Sequence, residues 1–156
     1  MHAGVRQRIY DFIEHKGLRK TAQRDAIIGA AFSTTEHYTA DDLLGMAKKI
    51  EPSVSRATVY RTIPLLVECG VLKEMDFGKD YKYYDPNYID HPYHNHLICV
   101  DCHKIVEFED RNIETLENCL TKRLGFSPAS KVIRIEATCD ELKQKGACSN
   151  KKTSQP

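Results

Sequence analysis

Cys99-Val-Asp-Cys102 is a Cys-x-x-Cys, a spacing that lets two thiolates of one tight turn bind one tetrahedral ion. Two further cysteines, Cys139 and Cys148, flank the end of a strand-like segment. If that segment lies beside the one that ends at Cys99, four sulfurs can converge on a structural Zn²⁺. The eight residues between Cys139 and Cys148 are a longer gap than zinc knuckles usually show. A redox dithiol is the alternative for Cys99 and Cys102, but thioredoxin-like motifs open a helix within a βαβ pattern, and here strand-like segments flank the pair. Cys69 and Cys119 fall on helical apolar faces and read as packing residues.

His94-Asn-His96 lies in a strand-like segment, where residues two apart project from one face, so both imidazoles can bind one ion. Isolated histidines are more often structural or solvated. This pair stands three residues before the Cys-x-x-Cys, with Glu107 and Glu109 on the next strand and Asp85 at a linker, which points to a second metal site. Mixed imidazole and carboxylate donors suit Fe²⁺, Mn²⁺ or Zn²⁺. No catalytic role is evident: the His-x-Glu with Pro-Cys-x-x-Cys pattern of zinc deaminases and the His-Glu-x-x-His pattern of metalloproteases do not occur.

Ser55-Arg-Ala-Thr-Val-Tyr-Arg61 has the character of a DNA-reading helix start. Arg56 and Arg61 can neutralise phosphates, Ser55 and Thr58 carry hydroxyls that can bond phosphate or base, and Tyr60 offers an apolar face to a thymine methyl. Standing alone, the segment would read as a solvated helix start with ordinary surface arginines.

These groups need a scaffold. Val5, Ile9, Phe12 and Ile13 recur at helical spacing up to Gly17. Thr21 can cap a second helix carrying Ala26, Ile27, Ala30 and Ala31, and Thr39 with Asp42 forms a capping box ahead of a third with Leu43, Leu44, Ala47 and Ile50. A fourth follows Pro52, with Ser53 or Ser55 as cap and Val59, Ile63, Leu66 and Val67 as its buried stripe; Pro64 inside it predicts a kink or restart. Two strand-like segments, Val71 to Phe77 and Tyr81 to Tyr84, predict a hairpin across Gly78-Lys79-Asp80. Helices followed by a hairpin make a winged helix-turn-helix, although the same count fits a small α/β domain without a ligand. The stretch from Asp85 to Pro92 is rich in proline and turn formers and reads as a linker. Beyond it come strands at His94 to Cys99 and Lys104 to Phe108, a helix with Ile113, Leu116, Leu120 and Leu124 on one side, and a last strand from Lys131 to Thr138.

Composition sets outer limits. At 156 residues the chain has room for one domain or two small ones, which excludes a large multidomain enzyme. Its 41% hydrophobic and 29% charged residues are those of a soluble globular protein, no apolar run is long enough for a membrane helix, and the charged N-terminus is unlike a secretory signal, so the cytoplasm is expected. Six cysteines in a reducing compartment are then thiols or metal ligands. Net charge is only +1 but is polarised: residues 1–24 hold six Lys or Arg against two acids, and residues 85–138 hold nine acids against six bases.

Ala57-Thr-Val-Tyr-Arg-Thr62 with Leu65-Leu66 and Gly70-Val-Leu72, and His94-Asn-His-Leu-Ile-Cys-Val-Asp-Cys102 followed by Ile105-Val-Glu-Phe108, together resemble the ferric uptake regulator family of bacterial metal-responsive repressors. The resemblance runs from about Gly17 to Cys139. It implies an α+β homodimer that is not an enzyme, in which residues 1–84 form a winged-helix DNA-binding domain, 85–92 a hinge linker, 93–148 a small α/β metal-binding dimerisation domain and 149–156 a disordered tail. It implies AT-rich palindromic operators as partners, no membrane association, a structural Zn²⁺ on Cys99, Cys102, Cys139 and Cys148, and Fe²⁺ as the regulatory ion, with Mn²⁺ or Zn²⁺ able to take its place in vitro. The regulatory ligands it assigns are His37, Asp85, His94, His96 and Glu107, and Arg19 matches a basic residue placed in the minor groove. Glu107 stands where peroxide-sensing members usually have aspartate, which favours a metal sensor over a peroxide sensor. The alternatives are a zinc, manganese or peroxide sensor of the same family, or a zinc-dependent enzyme or redox protein.

Overall fold

The computed structural model describes residues 3–78, 80–87, 89, 94–129 and 131–148. The expected tail over 149–156, and residues 88 and 90–92 of the expected linker, lie outside the described residues. The chain divides into two compact units, residues 1–92 and 93–156.

In the first unit α1 (Ala3–His15) buries Ile9 and Ile13, and Gly17 in the left-handed region (φ +68°) lets the chain leave the helix. Helix α2 (Ala22–Ala31) starts where the Thr21 hydroxyl accepts from Arg24 N, and its small residues Ala26, Ala30 and Ala31 are buried beside Ile27 and Ile28. A two-residue strand β1 (Tyr38–Thr39), not foreseen from the sequence, leads into α3 (Ala40–Ile50), where both arms of the Thr39 and Asp42 capping box are formed. Ser55, not Ser53, caps α4 (Arg56–Glu68), whose Val59, Thr62, Ile63 and Leu66 face the core. Side chains such as Ile27, Leu43 and Leu66 are completely buried, each contributing about 1.5–3 kcal/mol.

Three expectations need correction. Of the kink or restart expected at Pro64, the restart does not occur, since α4 is continuous through it. Pro64 removes the helical donor of the Tyr60 carbonyl, and both residues lie on the exposed side of the helix, where water can replace a lost bond. The hairpin strands β2 (Lys73–Met75) and β3 (Tyr83–Asp85) are shorter than expected, because the Asp76 carboxylate accepts from Gly78 N at 2.7 Å and turns the chain. The sheet order is β1-β3-β2, antiparallel throughout, with Tyr38 opposite Tyr84 and Lys73 opposite Asp85. Asp85 therefore belongs to the sheet as the fully buried last residue of β3, not to a linker.

The second unit holds β4 (Asn95–Cys99), β5 (Ile105–Phe108), α5 (Arg111–Arg123), β6 (Arg134–Ala137) and a short helix α6 (Asp140–Lys145) that was not expected. Its sheet order is β5-β4-β6, with β4 antiparallel to β5 and parallel to β6. The Asp110 carboxylate caps α5 by accepting from Asn112 N at 2.8 Å and Ile113 N at 3.1 Å. No described residue of α5 is buried. Cys119 is accordingly exposed and is not the packing residue expected from its position, whereas Cys69 is buried at the end of α4.

Candidate metal centres and nucleic-acid interface

Parallel pairing of β4 and β6 sets Cys99 opposite Ala137, so Cys139 follows two residues beyond the level of Cys99. The turn after β4 returns Cys102 to the same place: His103 N donates to Cys99 O at 3.0 Å, and His103 takes the left-handed conformation (φ 59°). The sulfurs of Cys99, Cys102 and Cys139 lie within 4.8 Å of one another. Helix α6, stopped by Gly146 (φ 67°), folds back the long gap so that Cys148 Sγ comes to 3.4 Å from Cys139 Sγ. A Zn–S bond of about 2.3 Å puts tetrahedral sulfurs about 3.8 Å apart, a spacing compatible with the group of Cys99, Cys102 and Cys139, with Cys148 placed beside Cys139.

Burial pushes the Cys102 thiol up to about 12, and the neighbouring thiols add to it. Burial also acts against ionised Cys99, but the backbone N–H groups of Cys102 and Asp101 outweigh it and hold that thiol below its ordinary value. Asp101 lies inside the Cys-x-x-Cys and its Oδ2 accepts from Cys139 N at 2.6 Å, tying the two halves of the cluster together. Leu142 N reaches Cys139 Sγ at 3.5 Å. The sequence carried a signal for α6 that went unread, with Asp140 and Glu141 in its first turn, Lys143 and Lys145 in its last and a glycine after it. Nothing in the sequence signalled the Asp101 bond.

The second donor set of this unit lies on the other end of β4. His96 pairs in register with Glu107, and His94 Nε2 stands 3.7 Å from Glu107 Oε1. The two imidazole rings are 4.6 Å apart at 69°, and both histidines are buried. Donor atoms of His94, His96 and Glu107 lie within 4.8 Å of one another. Glu109 is exposed beyond the end of β5.

In the first unit His37 immediately precedes Tyr38, which pairs with Tyr84, the residue before Asp85. Asp85 Oδ1 accepts from Asn87 N at 2.7 Å, and Asn87 Nδ2 donates to Thr35 O at 3.0 Å, which holds the segment before His37 beside the end of β3. Tyr38 is buried next to them and donates to Ala31 O at 3.1 Å; burial and then the Asp85 charge raise its phenol well above the ordinary value.

Of the expected DNA-contacting residues, Tyr60 and Arg61 on α4 and Arg19 before α2 are exposed, Tyr60 by 52%. The Arg24 guanidinium donates to Arg19 O and so fixes the backbone that carries Arg19. Arg56 pairs with Asp41 of α3 at 3.1 Å, both ends exposed, a contact worth about 0–1 kcal/mol that a phosphate can displace. Ser55 and Thr58 are engaged with each other: Ser55 Oγ accepts from Thr58 N at 3.2 Å and lies 2.9 Å from Thr58 Oγ1.

The sequence pattern of the ferric uptake regulator family matches residues 15–136. This chain belongs to the ferric uptake regulator family. Among its relatives, a ferric uptake regulation protein of Campylobacter jejuni is 32% identical over 148 residues, covering 94% of this chain and 89% of the relative. A peroxide operon regulator of Bacillus subtilis is 31% identical over 133 residues, covering 85% and 90%. The solved Helicobacter pylori ferric uptake regulator superposes with a TM-score of 0.80 at 21% identity over 92% of this chain and 95% of that one, a likeness of fold. As a member of the ferric uptake regulator family, the chain is a metal-dependent transcriptional repressor of α+β fold, and the family's proteins are dimeric DNA-binding regulators.

Proposed function

We propose that the protein is an Fe²⁺-dependent repressor that binds AT-rich palindromic operators as a homodimer in the cytoplasm and has no enzymatic activity. The observation that carries this reading is the presence of two chemically different donor sets on one sheet. Four thiols at one end of β4 suit a closed structural Zn²⁺ site, held by Cys99, Cys102, Cys139 and Cys148. Two imidazoles and a carboxylate at the other end suit an exchangeable borderline divalent ion. His94, His96 and Glu107 supply three donors, which leaves a borderline ion short of its usual coordination; His37 and Asp85 complete the set in this proposal. A bound divalent ion supplies positive charge and a fixed ligand geometry. His37 and Asp85 come from the unit that carries α4, so their engagement transmits metal occupancy to the DNA-reading helix by favouring one arrangement of the chain over others.

The exposed apolar side chains of the second unit, Leu116, Leu120 and Leu124 on α5 with Val132 and Ile135 near and on β6, support its role as the dimerisation domain. Tyr60 and Arg61 are assigned to groove and backbone contacts, Arg19 to the minor groove and Arg56 to phosphate. No helix among the described residues is long and apolar enough to cross a membrane.

A second reading, a peroxide-responsive repressor, draws on a relative of that name at 30% identity and on the peroxide operon regulator at 31%. Glu107 in place of the usual aspartate favours the metal sensor. The deciding experiment is a DNA-binding titration on protein of known metal content with Fe²⁺, Mn²⁺, Zn²⁺ and peroxide. Operator affinity that rises with Fe²⁺ and survives peroxide supports the iron repressor. Affinity abolished by peroxide at constant Fe²⁺ would establish the second reading instead.

A further inference from the structure

The first turn of α2 lies against the start of α4, and Gln23 is the side chain that joins them. Thr58 Oγ1 donates to Gln23 Oε1 at 2.9 Å, Ser55 N reaches the same oxygen at 3.5 Å, and Gln23 Nε2 reaches Ser53 Oγ at 3.5 Å. One carboxamide thus contacts three residues at the N-terminal end of the helix. That end is the one that recognition helices commonly present to base edges.

The proton inventory gives these contacts their consequence. Thr58 has one hydroxyl proton, and it is directed at Gln23 Oε1. The 2.9 Å contact between Ser55 Oγ and Thr58 Oγ1 must then use the Ser55 proton, while Ser55 Oγ still accepts from Thr58 N. Phosphate oxygens only accept. In this arrangement both hydroxyl protons are already engaged, so for Ser55 or Thr58 to donate to a phosphate one of these contacts would have to be given up.

We propose that Gln23 is a positioning residue for operator recognition: through Thr58 and Ser55 it fixes the pitch and rotation of α4, and thereby where Tyr60 and Arg61 meet the groove. The inference rests on α4 being the DNA-reading helix. Apolar contacts of Val59, Ile63 and Leu66 hold α4 to the core, but such contacts are non-directional and tolerate small rotations. Hydrogen bonds at the N-terminal turn are directional and supply the missing constraint. Tyr60 and Arg61 lie within one turn of Thr58, so a small rotation there moves them directly.

The test uses full-length, zinc-replete dimer with Mn²⁺ at the regulatory site and a palindromic duplex selected from a randomised pool by the parent protein. An unrelated duplex of equal length reports non-specific binding. Gln23→Ala and Thr58→Val should each weaken binding to the selected duplex about tenfold, the effect of one neutral hydrogen bond at each of two half-sites. The double variant should lose no more than Gln23→Ala alone, because the bond that Thr58→Val removes is already absent there. Binding to the unrelated duplex should change less than twofold, and Thr58→Ser, which keeps the hydroxyl, should restore parental affinity. Losses that multiply to about a hundredfold in the double variant would show independent DNA contacts and overturn the inference, as would parental affinity in Gln23→Ala. If Gln23→Ala melts early, Gln23→Leu, which keeps the side-chain bulk, replaces it in the same cycle. Tyr60→Ala separates the two levels: parental operator affinity in that variant would reject α4 as the reader, whereas a weak Tyr60→Ala beside a parental Gln23→Ala would reject only the positioning role.

Discussion

Removing the Asp101 carboxylate should loosen zinc without removing a zinc ligand. Asp101 Oδ2 accepts from Cys139 N at 2.6 Å, a charge-assisted bond in a partly buried position. Such bonds contribute about 1.5–3 kcal/mol, and at about 1.4 kcal/mol per decade the loss amounts to roughly 10- to 100-fold in metal affinity. Outer-sphere partners of metal ligands elsewhere cost a similar 10- to 100-fold when removed. Opposing this, the Asp101 charge acts against ionisation of Cys99, so its removal also relieves repulsion. The two contributions separate by substitution. Asp101→Asn keeps an oxygen for Cys139 N and deletes the charge, and should hold zinc at least as tightly as the parent. Asp101→Ala deletes both and should release zinc to a chromophoric chelator at least tenfold faster. Cobalt substitution gives a second readout, since the thiolate-to-metal charge-transfer bands should persist in Asp101→Asn and weaken in Asp101→Ala. Equal release rates for Asp101→Ala and the parent would refute a positioning role. Equally fast release from both variants would show that the charge, and not the acceptor, matters.

Cys99→Ser and Cys102→Ser should each lose the single tightly bound Zn²⁺ expected per subunit, together with the fold of the second unit, because ligand binding and folding are one equilibrium in such small sites; elemental analysis showing full zinc in either variant contradicts this. Tyr60→Ala should cost about 1–3 kcal/mol on the operator and relax sequence preference, whereas Arg61→Ala should weaken all duplexes alike and flatten the salt dependence, both measurable by fluorescence anisotropy across a salt series. His37→Ala should keep structural zinc and the dimer yet lose metal-dependent operator affinity, a coupling of about 1–3 kcal/mol that also requires operator DNA to tighten metal binding by the same factor. A parental Fe²⁺ response in His37→Ala would place sensing wholly on His94, His96 and Glu107.

Local chemistry was legible from the sequence alone. The caps at Thr21 and Thr39, one of the two caps offered for α4, and the burial of Ile9, Ile13, Val59, Ile63 and Leu66 depend on neighbours within one or two helical turns and form as read, whereas Val5, Phe12 and Val67 of the same stripes are only half-buried. The Cys-x-x-Cys and the His-x-His are equally local, since one tight turn brings the first pair together and one strand face the second. With the helix and strand order, they sufficed to indicate the family.

Tertiary structure decided everything that depends on partners distant in the chain. Strand pairing brought Cys139 to Cys99, because only the parallel register of β4 with β6 sets their ends level. Sheet pairing moved Asp85 from an expected linker into a buried position at the end of β3, and His37 immediately precedes the strand that pairs with β3. Helix α4 continues through Pro64, where a kink or restart was expected, and exposure of α5 left Cys119 without the packing its helical face implied. The hydroxyls of Ser55 and Thr58 show the same division: residue type said that they could donate a proton, but Gln23, 35 residues away from Thr58, determined where the Thr58 proton goes. A hydrogen bond is settled by which acceptor lies within about 3 Å, and for pairs so far apart in the chain that is a property of the fold.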